Sequence, residues 1–424
     1  MKYSDFLHPG YVPKGGELIC LFKIEPKKGF SMREAASRVA SESSNGTWSD
    51  LSPPEHIKAL SAKCFEVGQK STKIAYPPEL FEGGNMPQIL SSIAGNIFGM
   101  KAVSNLRLED ITWPEEILKS FKGPQFGIHG VKKFLKIKDR PVLATVPKPK
   151  VGFYSEEHAK VGYEAWSGGV DLLKDDENLS SQTFNRFEKR LELSMKMRDK
   201  AEKETGERKS YLVNITAETE EMKRRAKLVK DHGNEFAMVD ILTAGWAGVQ
   251  TIRDTCQELG LAIHAHRAFH AAFDRNPKHG MSMKVIAEIS RIVGVDQLHI
   301  GGMGKLVGSR VEVMENWIKC SNHSNEEGTN MLGQNWYGTN PVLGTCSGGL
   351  HPGIIGRLIN LLGKDIVIQA GGGIHGHPGG TRAGAKALRD AVDACVGGIS
   401  VRDYSRDKPE LAAALKKWGD KTPE

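Results

Sequence analysis

From about residue 138 onward one pattern repeats: a short β-rich run, a few polar or glycine residues, then a stretch with helical periodicity. The runs fall at 141–146, 170–173, 211–215, 236–242, 261–264, 297–300, 341–345 and 366–370, which makes eight. Parallel strands joined by helical crossovers are buried on both faces, and eight such units in succession predict a closed (β/α)8 TIM barrel. Between the runs, Phe184, Phe187, Leu191 and Met195 recur at helical spacing, as do Val249, Ile252, Cys256 and Leu259. Ser155 before Glu156 and Glu157 reads as an N-cap, and Gly206 and Gly260 as helix ends.

The first 125 or so residues break this rhythm. Strands at 18–24 and 73–76 with helices at 32–41 and 88–97 predict an N-terminal α+β (ferredoxin-like) domain over 1–125. The barrel domain then takes 126–424, with a polar loop at 321–330 and mostly helical residues at 383–424. Two domains suit a chain of 424 residues, which exceeds the size at which one core stops growing. The 58 basic and 51 acidic residues are interspersed, so a nucleic-acid footprint is not expected. No apolar run is long enough for a membrane span and no signal peptide opens the chain. The six cysteines lie far apart without a CxxC pair, which predicts free thiols in a reducing cytoplasm.

In a TIM barrel the active site forms at the C-terminal ends of the strands. Here those ends carry Lys148-Pro149-Lys150, Lys174-Asp175-Asp176-Glu177, Asn214, Asp240, His264-Ala265-His266-Arg267, His299 with the following Gly301–Lys305 stretch, Ser347-Gly348-Gly349 and Gly371-Gly372-Gly373. Strand alternation puts Lys174 and Asp176 on one face, with Glu177 joining them as strand gives way to loop. Two carboxylates are hard oxygen ligands suited to Mg²⁺. An ammonium cannot bind a metal, but a neutral lysine can add CO₂ and present a carbamate oxygen. The glycine triplets would let a phosphate approach backbone N–H groups, or they are simply tight turns. Arg267 and His299 could hold a second phosphate, and the HxH pair His264 and His266 could instead bind zinc.

Together these motifs resemble the ribulose-1,5-bisphosphate carboxylase/oxygenase large subunit, specifically the archaeal form III type. The match is carried by Thr145-Val146-Pro147-Lys148-Pro149-Lys150, by residues 168–177 and by residues 264–270, then by the two glycine motifs. Residues 42–48 and 95–99 extend it into the N-terminal domain. The resemblance implies carboxylation of ribulose-1,5-bisphosphate to two 3-phosphoglycerate, with competing oxygenation. It implies that Lys174, carbamylated by activating CO₂, binds Mg²⁺ with Asp176 and Glu177, and that the carbamate removes the C3 proton. Lys148 would handle later proton transfers, tuned by Lys150, with His266 as a further proton-handling group. Lys305 would sit on a mobile loop and pair with Glu42. Arg267, His299 and Ser347 would form one phosphate site, and Gly348, Gly349, Gly371, Gly372, Thr47 and Trp48 the other region. Glu42, Thr47 and Asn96 would reach a neighbouring subunit's barrel, so a homodimer is the smallest active unit expected, without a small subunit. The stretch from His299 to Lys305 is a residue shorter than the family's and richer in glycine, which predicts slower loop closure and poorer CO₂/O₂ discrimination. Restoring a family-length loop without changing the specificity factor would refute that. A related enolase or isomerase is the main rival reading, with a zinc hydrolase and a non-catalytic binding protein behind it.

Overall fold

The structure is a computed structural model that describes residues 1–303 and 309–423. The chain divides into two compact units. One comprises Met1–Gly123, Phe269–Val293 and Asn322–Thr339; the other comprises Pro124–Ala268, Gly294–Ser321 and Asn340–Glu424.

The first unit is built on β1 (Leu18–Pro26), β2 (Lys63–Val67), β3 (Ser71–Tyr76) and β4 (Val103–Thr112). They pair antiparallel in the order β4-β1-β3-β2, and Gly280–Met281 adds a short parallel edge to β4. Helices Met32–Glu42 and Met86–Ala94 follow β1 and β3, giving the β-α-β-β-α-β order of a ferredoxin-like unit. The first helix starts at a capping box: Glu34 N–H donates to Ser31 Oγ, and the Glu34 carboxylate accepts the Ser31 N–H. It buries Ala35, Ala36, Val39 and Ala40, while the second helix buries Met86, Ile89 and Ile93.

Strands β2 and β4 go beyond the sequence expectation. In β4, Arg107, Glu109 and Asp110 are buried, so its polar residues do not mark a wet face. Glu109 is held by Arg107 at 3.1 Å, Lys23 at 3.2 Å and Lys284 at 3.3 Å. Such buried pairs erase the alternation by which a half-buried strand is recognised. Within 321–330, read as loop, Ser324–Asn325 pairs with Gln334–Asn335.

The second unit contains a closed parallel barrel. Its strands are β5 (Val142–Thr145), β6 (Leu172–Lys174), β7 (Ser210–Asn214), β8 (Phe236–Asp240), β9 (Ala262–His266), β10 (Gln297–Gly301), β11 (Leu343–Cys346) and β12 (Ile366–Gln369). Neighbours in sequence pair in parallel, and β12 returns to β5. The barrel core gathers Val142, Ala144, Leu172, Leu212, Phe236, Met238, Ala262, Leu343 and Val367, joined by Ile128 and Val131 of the helix Gly127–Phe134. Leu172 lies in this core, and Lys174, two residues on, shares its face.

Gly206 and Gly260 end their helices in the left-handed region, with φ of 68° and 65°. Ser155 is not an N-cap. It is the first residue of the helix Ser155–Ser167, and its hydroxyl donates to Asn185 Oδ1 at 3.0 Å. Glu157 instead accepts the Tyr154 N–H at 2.9 Å. The next helix starts at Phe187 rather than Phe184. The six cysteines are free, and five are buried. Among the described residues no helix is long and apolar enough to cross a membrane.

Candidate active site

The last residue of β6 decides the geometry. Lys174 is fully buried, and its Nζ donates to the Asp175 carbonyl at 2.8 Å and to Glu177 Oε2 at 3.2 Å. Lys148, just past β5, donates to Asp176 Oδ2 at 3.1 Å. Asp176 Oδ1 accepts two further bonds, from Asn178 N and Nδ2 at 3.2 and 3.0 Å. Two lysines and two carboxylates thus interleave at the mouth of adjacent strands. Burial works against the Glu177 charge, but the Lys174 ammonium, followed by His266, brings its carboxyl down to about 2.

Asp175, between Lys174 and Asp176, turns the other way. It is fully buried, receives Arg190 Nε at 3.2 Å, the Asn214 N–H at 3.0 Å and the Tyr211 hydroxyl, and lies 3.2 Å from His158 Nε2. Burial would raise its carboxyl, yet Arg190 chiefly, with His158 and Tyr211, holds it at about 2. This anchor fixes the segment that carries Asp176 and Glu177.

On the opposite strands, His266 Nε2 stands 3.5 Å from Glu177 Oε2. The Ala268 N–H donates to His266 Nδ1 at 3.1 Å, so a neutral ring carries its proton on Nε2, facing Glu177. Asp240 Oδ1, buried without a hydrogen bond among the described residues, lies 3.5 Å from the same Nδ1. The His266 and His299 rings meet edge to face with centroids 4.5 Å apart. His299 Nδ1 lies 2.9 Å from Ser347 Oγ, and its Nε2 lies 3.0 Å from His264 Nε2. The HxH pair therefore does not act as a unit, since His264 is turned into His299. Burial pushes His264 and His299 well below the ordinary imidazole value and lowers His266 as well, with the Lys174 charge contributing.

The glycines divide into different kinds. A Cβ on Gly371 would stand 3.0 Å from Lys148 Cε and 3.2 Å from Val146 Cγ1, so this glycine leaves room for the lysine stem. One on Gly372 would meet no atom of the described residues within 4 Å, whereas one on Gly373 would strike the Leu350 carbonyl at 2.1 Å. Gly373 is thus a packing glycine. Gly348 and Gly349 have φ of 97° and 76°, where residues with a Cβ are strained. Arg267 is buried, with its guanidinium about one contact distance from Gly301 (3.4 Å to the position of an added Cβ).

Two family models match this chain. The ribulose bisphosphate carboxylase large chain catalytic domain matches residues 127–418, and the N-terminal domain of the same large chain matches 5–117. The chain belongs to the ribulose bisphosphate carboxylase large-chain family. A curated family member from Archaeoglobus fulgidus is 49% identical, with 99% of this chain and 98% of the relative covered. One from Pyrococcus abyssi is 51% identical, covering 98% and 97%. Both are named ribulose bisphosphate carboxylase. Among solved structures, the dimeric archaeal Rubisco from Hyperthermus butylicus superposes with a TM-score of 0.94 at 50% identity, covering 99% of this chain and all (100%) of that one. The octameric enzyme from Pyrococcus horikoshii gives 0.92 at 48%, with 99% and 97% covered.

The remaining residues singled out by the family resemblance are dispersed. Lys150 is exposed just past Lys148. In the first unit, Asn96 Nδ2 donates to Glu42 Oε1 at 3.3 Å, Thr47 is half-buried, and Trp48 is 86% exposed. Lys305 and Gly304 before it lie outside the described residues. Sequence reasoning missed the Asp175 anchor, the partner of His264 at Gln297, and His375, which bonds Thr145 Oγ1 through Nε2 at 3.0 Å. A signal for the first was available: Arg190 interrupts the apolar stripe of Phe187, Leu191 and Met195.

Proposed function

We propose that the chain carboxylates ribulose-1,5-bisphosphate with CO₂, giving two 3-phosphoglycerate, with oxygenation in competition. The observation that carries this reading is the interleaved set at the β5 and β6 ends: Lys148 on Asp176 at 3.1 Å and buried Lys174 on Glu177 at 3.2 Å. Among the described residues no three His, Cys, Asp or Glu side chains converge to hold a metal ion. Two acidic oxygen donors beside a buried lysine fit Mg²⁺ once the lysine contributes a third oxygen, as it does on adding CO₂ as a carbamate. Asp176, Glu177 and the modified Lys174 would then hold the ion, which when bound polarises substrate oxygens and stabilises the negative charge that develops on them.

The other residues act around that centre. Lys148 handles the later proton transfers, with its stem set by the space at Gly371 and with Lys150 tuning it. His266 offers a second proton-handling nitrogen beside Glu177. Arg267, His299 and Ser347 receive one phosphate of the substrate. Backbone N–H groups of Gly348, Gly349, Gly371 and Gly372 would meet the other, and Thr47 and Trp48 are assigned to that same phosphate by the family resemblance. Glu42, Thr47 and Asn96 serve the barrel of a second subunit, so a homodimer without a small subunit is the working unit in the cytoplasm. The dimeric state named for the Hyperthermus butylicus enzyme supports this assembly, and the exposure of Trp48 gives it a surface to use. Lys305 belongs to the same proposal as the group that steadies the new carboxylate.

The test is incubation of the protein with ribulose-1,5-bisphosphate, Mg²⁺ and labelled bicarbonate. Labelled 3-phosphoglycerate is the expected product. Consumption of the sugar bisphosphate without label would favour the enolase or isomerase reading, and no consumption at all would reject both.

A further inference from the structure

Gln297 is buried at the start of β10 and belongs to none of the motifs above. Strand register puts it directly opposite His264 on β9, while the two-residue repeat puts it on the same face as His299. A continuous line results: Gln297 Oε1 to His264 Nδ1 at 2.7 Å, His264 Nε2 to His299 Nε2 at 3.0 Å, and His299 Nδ1 to Ser347 Oγ at 2.9 Å. Gln297, His264 and His299 are all within 1% of complete burial, whereas Ser347 is half-buried.

Such a line can carry its protons in only two orders. The contact between two Nε2 atoms needs one donor and one acceptor, and each neutral imidazole donates from one nitrogen only. If the Gln297 carbonyl faces His264, every proton points inward and the Ser347 hydroxyl is spent on His299. If the Gln297 amide nitrogen faces His264, every proton points outward: His264 donates to His299, His299 donates to Ser347, and the serine hydroxyl is free to donate into the cavity. The two amide ends are interchangeable by a half-turn of the side chain. With the carbonyl toward His264, Gln297 Nε2 is buried with no hydrogen-bond partner among the described residues. Orphaned buried N–H groups are rarer than under-satisfied carbonyls, so the half-turn is favoured.

We infer that Gln297 is a positioning residue: its amide N–H fixes the proton order of the His264–His299 pair so that Ser347 presents a proton, not a lone pair, to an anionic oxygen of the substrate. This rests on the proposed binding of a sugar bisphosphate, and supplies what that reading needs at Ser347 while the imidazoles stay uncharged. A free O–H is a donor to phosphate, whereas an inward order would turn a lone pair toward it.

The direct test is ¹⁵N NMR of the histidines in the ligand-free protein, with the two rings assigned from single His→Asn variants. The expected result is His264 protonated on Nε2 and His299 protonated on Nδ1. The reverse pattern overturns the inference, whatever the protein catalyses, so it fails separately from the carboxylase reading. Gln297→Met keeps the side-chain length and removes the directing N–H. It should move both rings toward exchange between tautomers and raise the KM for the bisphosphate about tenfold, the worth of one good hydrogen bond. The kcat should change much less. Unaltered nitrogen shifts together with an unaltered KM in that variant would equally refute the role.

Discussion

The two ends of the barrel treat charge in opposite ways. At the N-terminal end, polar side chains just before the strands are tied to neighbouring backbone and stay tied. Asp171, before β6, takes Arg140 through both terminal guanidinium nitrogens, Nη1 and Nη2, at 2.7 Å and accepts the Leu143 N–H at 2.8 Å. Asp296, before β10, accepts the N–H groups of Phe126, Gly127 and Ile263 at 2.7, 2.9 and 2.9 Å. Asn234, before β8, bridges Tyr211 and Phe236. At the C-terminal end, Asp176 and Glu177 hold lysines that the proposed chemistry must redeploy. One end uses charge to close the barrel, and the other keeps it available.

Asp176→Asn should separate the ends most sharply. Loss of one ligand and one charge predicts a fall in carboxylation of about a thousandfold, comparable to removal of a principal electrostatic stabiliser. Its melting temperature should stay close to that of the parent. If turnover persisted, Asp176 would not hold the ion. The mirror experiment is Asp171→Asn, which strands the Arg140 guanidinium. Chemical denaturation should show a loss of about 3 kcal/mol, with kcat preserved. Equal damage to both properties in either variant would erase the distinction.

A pH series sharpens the contrast further. Burial holds His264, His266 and His299 below their ordinary value, and lowers His375 to about 4. The folded state thus binds fewer protons than the unfolded one between about pH 4 and 6.5, so stability rises with pH there. The contribution is complete above about pH 6.5 and is lost as the pH falls toward 4. Thermal unfolding followed across that window should show a declining Tm on acidification. A flat profile would mean that these rings are not held neutral. The smallest effect is expected for Gly371→Ala, whose Cβ would push the Lys148 stem by a few tenths of an ångström from 3.0 Å. A drop of about tenfold in kcat with Tm nearly constant is expected, because a small misplacement of a reacting group costs rate before stability. An unchanged kcat would show that the lysine end adapts freely.

What the sequence revealed follows the same division. The eight strands were legible because fully buried parallel strands read as continuous apolar runs, and alternation put Lys174 and Asp176 on one face. The N-terminal strands β2 and β4 were not, since β4 buries Arg107, Glu109 and Asp110 as partners rather than showing a wet face. Asp175 looked like one of four clustered charges; only the fold brings Arg190, Tyr211 and His158 around it. Gln297 was invisible for the same reason, its meaning lying in the register between β9 and β10. Ser155 had the right residue type for a cap but was claimed by Asn185, thirty residues away.

The central claim is that the C-terminal site becomes a metal site only when Lys174 gains CO₂. Incubation with ¹³C-bicarbonate and Mg²⁺, read by ¹³C NMR of the protein, tests it most directly. A carbamate signal that needs Mg²⁺ for retention, rises in step with carboxylation activity and is absent from Lys174→Ala is the predicted result. A protein fully active without that pretreatment, or the same signal in Lys174→Ala, would contradict it.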